Sequence, residues 1–255
     1  MRAIRVIAVN TFREAIRDRI LYLFIGFAVV MVLSTKLFGM LTVGDEAKII
    51  KDIGLAAMQF SSMLIAVMMS MLLISREVDS RTVFNILAKP VRRWQFILGK
   101  YFGLIAIVAA NLVLITAVLL VVVLIYAHQF DPMLIFAAAM TMLEMFILAA
   151  FATFFAVLTK PILGSLLTLA VFVIGHMSAD LWLLTRQLTG FTTRVVVAVV
   201  YYVVPNLERF NFRTEVVHDL PIPAVAVIWA CLYAVAFVVL VLFLANLRFR
   251  KRDLK

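Results

Sequence analysis

Residues 101–126 read YFGLIAIVAANLVLITAVLLVVVLIY, a run of 26 without one charged side chain, and the fold follows from it. A helix of roughly 20 mostly apolar residues crosses the hydrocarbon core of a bilayer, which is about 30 Å thick. The run is too long for a lipid-facing strand and lacks its in–out alternation, which argues against a β-barrel as its setting. Five further segments have the same character: 20–38, 55–75, 133–158, 162–184 and 223–247. The expected fold is therefore an all-α membrane protein with six transmembrane helices in a single domain, 1–255. A seventh apolar stretch, 195–204, is too short to cross and is stopped by Pro205, so it reads as a re-entrant or interfacial segment.

Composition supports the same class. Apolar residues make up 65% of the 255, and mean hydropathy is +1.12. A soluble domain runs nearer half apolar, because it must cover itself with polar surface. Cys231, alone in an apolar run, excludes an intramolecular disulfide. The first 19 residues are charged and amphipathic, unlike the apolar core of a cleavable leader.

The net charge of +10 would suit nucleic acid, but its placement points elsewhere. Lysine and arginine gather at 2–19, 76–100, Lys160 and 248–255, all on one side of the six-span layout. The opposite connections mix Lys36, Lys48, Lys51 and Arg213 with Asp45, Asp52, Asp131 and Glu208. By the positive-inside rule the basic side is cytoplasmic. Both termini are then expected in the cytoplasm of a bacterial-type inner membrane, with basic residues against anionic lipid rather than nucleic acid.

Three connections stand out. In 1–19, Arg2, Arg5, Arg13 and Arg17 fall near one helical face, with Ile4, Ala8, Phe12 and Ile16 largely on another. This suits a helix lying in the interface, or simply an orientation anchor for the first span. The connection 76–100, REVDSRTVFNILAKPVRRWQFILGK, combines acidic helix-start residues, an apolar patch at 82–87 and a stop at Lys89-Pro90. An exposed apolar patch flanked by charge suits a docking surface; an interfacial hairpin without a partner is the alternative. The loop 185–221 carries Pro205, Asn206, Phe210 and Asn211, and its Tyr201, Tyr202, Phe210 and Phe212 suit the membrane–water boundary. It reads as an outer gate, a dock for a periplasmic protein, or a folded cap.

Taken in order, TFREAIRDRILYLF, ISREVDSRTVFNILAKPVRRWQFILGK, VVPNLERFNFR and the six-span layout resemble the membrane subunits of type-2 ATP-binding-cassette exporters. The middle piece is the most specific, and together they cover most of the chain. The resemblance implies half of a transporter: two identical or related permease chains with a dimer of cytoplasmic ATPase subunits. It also implies an amino-terminal interfacial helix, a cytoplasmic coupling helix within 76–100 and a short extracytoplasmic re-entrant helix. Glu77 and Arg81 would stand at the ATPase contact, with Phe84 and Leu87 as anchors. Lys89, Pro90, Arg92 and Arg93 would set the angle of the coupling helix at the headgroups. The chain itself has no GxxxxGK[ST] phosphate loop, HExxH helix or GxSxG elbow, so ATP and Mg are expected on the partner, with no catalytic or metal-binding residue here.

Polar residues inside spans mark sites, because a central carboxylate costs about 2.5–3.5 kcal/mol on insertion scales. Glu144, mid-span, is a pathway residue or an interhelical hydrogen bond. Asn111 reads as a helix–helix contact. His176 and Asp180 share a helix face as a hydrogen-bonded pair, or as a proton or metal site. The methionines of the second and fourth spans could suit soft copper, but they are also adaptable packing residues. Three functions stay open: an export permease, an ATPase-linked scaffold acting on a periplasmic partner without moving a solute, and an ion-coupled secondary transporter. A membrane enzyme ranks behind them.

Overall fold

The computed structural model describes residues 2–39, 45–75, 92–128, 130–178 and 191–251. Among these every regular element is helical. In hydrocarbon each backbone N–H and C=O must be paired within its own segment, and a helix does this for uninterrupted apolar runs. Helix α1 spans Arg2–Ile16 and α2 Arg19–Gly39. Asp18 separates them, its side chain accepting the Ile20 N–H at 3.0 Å as a cap. Helix α3 spans Glu46–Ser70 and ends in a wider π-helical turn, Met71–Ser75, where the 76–91 connection begins. Helix α4 runs Arg93–Ala127 and α5 Met133–Leu158, followed by α6, Pro161–His176. Pro161 opens α6 at a position whose N–H would have no helical partner anyway. Next come α7 (Phe191–Val203), a 3₁₀ turn at Leu207–Phe210, the short α8 (Arg213–Val217) and α9 (Ala224–Lys251).

Five of these helices, α2, α3, α4, α5 and α9, are long and apolar enough to cross a membrane. The expected span 162–184 appears as α6, whose 16 residues reach about 24 Å at about 1.5 Å per residue. Its expected outer end falls among residues 179–190, outside the described residues. The segment at 195–204 lies in α7, 13 residues long and too short to cross. The α3 and α4 helices start well before the apolar runs do, at Glu46 and Arg93 rather than near residues 55 and 101.

Packing places α3 at the centre. Of its apolar stretch 67% is buried, against 22% for α2 and 17% for α9, whose outer faces carry Leu23, Val30, Leu33, Trp229, Val235 and Phe243 into the surroundings. Helix α4 runs antiparallel to α3: Asn111 donates to Ser62 at 3.1 Å, and Leu119 fills the notch left by Gly54. Met58, Met63, Met69 and Met71 are all buried in this core, as adaptable fillers of irregular gaps.

One face of the bundle, called proximal here, gathers α1, the start of α4 and the end of α9. Helix α1 lies against α4 where Gly99 and Gly103, one turn apart, leave its surface bare. The first turn of α4 is held to α9 by Arg93, which donates to the Phe249 carbonyl at 3.0 Å, and by the stacked rings of Phe96 and Phe249. Cations commonly satisfy the last carbonyls of a helix in this way. The distal face carries the starts of α3 and α5, the 3₁₀ turn and α8.

Candidate functional site

The polar groups of the core converge on one cluster. Glu144 lies near the middle of α5, only 1% exposed. Gln59 of α3 donates through one amide nitrogen to Glu144 Oε2 at 2.8 Å, and that nitrogen lies 2.8 Å from His176 Nε2 at the end of α6. His176 Nδ1 is 3.0 Å from the Phe172 carbonyl, one helical turn back. A carbonyl only accepts, so Nδ1 carries a proton; in the neutral ring Nε2 then accepts from Gln59. Both amide hydrogens of Gln59 are thereby used. Glu144 Oε1 is left with no hydrogen bond, facing His176 Nε2 at 3.5 Å. The cluster thus joins three helices around one buried carboxyl oxygen whose bonding is incomplete.

Between this cluster and the distal face sits the segment that follows α7. Leu207 and Phe210, 0% and 2% exposed, turn inward against Ile147, Ala230 and Ala234. Phe212 meets Phe136 edge-on, with ring centroids 5.6 Å apart. Both rings are buried within the protein, because the 3₁₀ turn and the residues after it fold them into the space beyond the end of α6. Gly175 makes this possible. A Cβ there would lie 2.7 Å from Leu207 Cγ and 2.8 Å from the Pro205 carbonyl oxygen. The Asn206 N–H donates to the Tyr233 hydroxyl at 2.7 Å, and Asn211 donates to Glu208 at 2.9 Å. Arg209 lies over the Tyr233 ring, 4.9 Å from its centre.

Two ion pairs pin the distal face. Lys51 of α3 meets Asp131 at 2.6 Å, both nearly buried, while Asp131 also accepts the Met133 N–H at 2.9 Å and so caps α5. Arg213 grips Asp52 with two parallel contacts, Nη2 to Oδ2 at 2.6 Å and Nε to Oδ1, tying α8 to α3. The side chains of that second pair are 34% and 45% exposed, so water screens it. A double-mutant cycle with Asp52→Ala and Arg213→Ala should therefore give a coupling of about 1 kcal/mol or less in thermal unfolding. A coupling several times larger would mean the pair is drier than its exposure indicates.

The site residues read from sequence fall in different parts of the fold. Glu144 and His176 come together, but through Gln59, which the sequence reading passed over within a methionine-rich apolar run. Its signal was its rarity: an amide in mid-span needs partners. Asn111 is the helix–helix contact expected of it. Pro205, Asn206, Phe210 and Asn211 form the inward-folded segment. Arg92 and Arg93 open α4, with the Arg92 N–H donating to Gln95 at 3.0 Å. Glu77, Arg81, Phe84, Leu87, Lys89, Pro90 and Asp180 lie outside the described residues. Among the described residues no three His, Cys, Asp or Glu side chains converge as a metal site. A groove of about 430 Å³ between α4 and α5, lined by Ala109, Val113, Ala138 and Met142, is almost wholly apolar and offers no grip on a polar solute.

These features define a multi-pass helical membrane protein with a polar cluster among its packed helices. A family described as protein of unknown function (DUF2705) matches residues 74–255, and the chain belongs to that family. No curated protein matches it.

Proposed function

We propose that the chain is the permease subunit of an ATP-driven exporter, working with a second permease chain and a dimer of cytoplasmic ATPase subunits that hold ATP and Mg. The observation that carries this reading is the junction at the proximal face. The 76–91 connection leaves from a π-helical turn and re-enters at Arg92. At its re-entry α4 is keyed to α1 through Gly99 and Gly103, and to the end of α9 through Arg93 and Phe96. A push on that connection would be shared by three helices at once, which is what a coupling element requires. The burial of Leu207 and Phe210 favours the segment after α7 as an outer gate over a docking surface for a periplasmic protein.

The same contacts support six crossings with both ends on one side. Helix α5 ends at the proximal face, and α9 must start at the distal face in order to finish beside α4. The chain between them therefore crosses once more, and α6 covers most of that distance. The excess of lysine and arginine on the proximal face makes it the cytoplasmic side of a bacterial-type inner membrane.

Co-expression with a cytoplasmic ATPase subunit of such exporters from the same source should yield a complex that survives mild detergent extraction. Replacing the apolar and charged residues of 77–87 with small polar ones should abolish that co-purification and leave the permease folded. Normal assembly and undiminished ATP hydrolysis with the replaced segment would sink the reading.

A further inference from the structure

We propose that the cleft between the 3₁₀ turn, α8 and the start of α9 binds the headgroup of phosphatidylethanolamine, a zwitterionic lipid with a primary amine. The site needs only that α9 crosses a bilayer, so it is independent of the exporter reading.

The cleft has a volume of about 320 Å³, which suits a small polar group. Glu208 and Arg209 of the 3₁₀ turn and Glu215 of α8 line one side of it, and Ala226, Trp229 and Ala230 of α9 the other. Asn211 donates to Glu208 at 2.9 Å and so holds that carboxylate in place. Arg209 rests on the face of the Tyr233 ring, a contact with the π-cloud rather than with a hydrogen-bond acceptor. The cleft thus offers two carboxylates to an ammonium and a fork of N–H donors to a phosphate.

Its depth is that of the headgroups. Arg248, exposed, ends the apolar part of α9 on the proximal side. About 20 helical residues cover the roughly 30 Å of hydrocarbon. Counting that many back from Arg248 reaches Ile228, next to Trp229. Trp229 is 62% exposed, and tryptophan favours this boundary. From it Leu232, Val235 and Val239 run down α9 as an exposed apolar track for acyl chains. That track favours a lipid over a water-soluble amine.

Charge and bonding select among lipids. Two carboxylates against one guanidinium make the lining acidic, which disfavours anionic phosphatidylglycerol. A primary ammonium has three N–H donors for Glu208 and Glu215 to accept. The trimethylammonium of phosphatidylcholine has none and is held instead by cages of several aromatic rings. Among the lining residues Trp229 is exposed, but the Phe212 ring is buried, so no such cage forms.

Native mass spectrometry of the full-length protein, titrated with lipids of matched acyl chains, tests the preference. The wild type should retain phosphatidylethanolamine several-fold more than phosphatidylcholine or phosphatidylglycerol. The double variant Glu208→Gln with Glu215→Gln should bring that ratio close to parity. Equal retention of the three lipids by the wild type, stronger retention of either of the other two, or an undiminished preference in the double variant would overturn the proposal. Should the double variant fail to fold, coupling on the wild type decides. In nanodiscs containing phosphatidylethanolamine, a water-soluble carbodiimide joins the lipid amine to a carboxylate beside it, and peptide mass spectrometry locates the amide. Adducts on Glu208 or Glu215 should exceed several-fold those on Glu46, an exposed carboxylate at the same distal face. Adducts no more frequent there than on Glu46 defeat the idea.

Discussion

Lys51→Met should lower the thermal unfolding midpoint more than any other single polar substitution in the described core, with a cost of about 3–5 kcal/mol. Lys51 and Asp131 are only 7% and 8% exposed, and their charged atoms lie 2.6 Å apart. Removing the ammonium strands a carboxylate that the fold keeps from water, and Asp131 cannot swing away without releasing the Met133 N–H that starts α5. The double variant Lys51→Met with Asp131→Asn should regain most of the loss. An asparagine keeps the acceptor for Met133 and carries no charge, and replacing a whole buried pair is often neutral. Midpoints in detergent for the single and double variants check this. Equal losses in both would assign the effect to packing of the lysine stem instead.

That pair also shows where the sequence is legible. Long apolar runs announce spans because lipid leaves the backbone no alternative to helix. Helix ends are another matter. Hydropathy reports the surrounding solvent, whereas α3 continues through Glu46, Lys48, Lys51 and Asp52, and two of these charges are met by partners from distant parts of the chain. Lys51 and Asp52 find Asp131 and Arg213, and neither partner is predictable from local spacing. The start of α4 is a similar case: Arg93 and Lys100, which the charge pattern puts in the connection ahead of the third span, form its first two turns.

The core cluster was half visible. A lone glutamate in mid-span is conspicuous, and so is a histidine near a span's end. Helical spacing paired His176 with Asp180, four residues on. Asp180 lies outside the described residues; tertiary packing gives His176 a contact with Gln59, 117 positions away, and Gln59 reaches Glu144 across 85. The inward turn of Phe210 and Phe212 was likewise hidden. Aromatic residues beside polar ones suit the bilayer boundary equally well as an outer belt or as a folded plug, and only the bare surface at Gly175 decides for the plug.

Gly99→Val and Gly103→Val should each detach α1 from the bundle, and the contrast with Gly26→Ala makes the result interpretable. A Cβ at Gly103 would lie 2.6 Å from Thr11 Cβ and 3.0 Å from the Ala8 carbonyl oxygen; at Gly99 it would lie 2.7 Å from Ile7 Cβ and 3.2 Å from the Ile4 carbonyl oxygen. These neighbours are β-carbons and backbone, which no rotamer change can move, so relief must come from displacement of the whole helix. Overpacking of this kind costs about 1–3 kcal/mol per site. Gly26 has nothing within 4 Å of its would-be Cβ, and alanine there should be neutral or should stabilise by up to about 1 kcal/mol. Arg5 and Arg13 already have exposed side chains, and a detached α1 frees the backbone that trypsin must bind, so faster cleavage at the amino terminus should accompany a lower unfolding midpoint. Unchanged cleavage would show α1 and α4 held by other contacts. If the exporter reading holds, the two valine variants should still bind the ATPase while losing its stimulated turnover, because the connection would still be present but its motion would no longer reach α1.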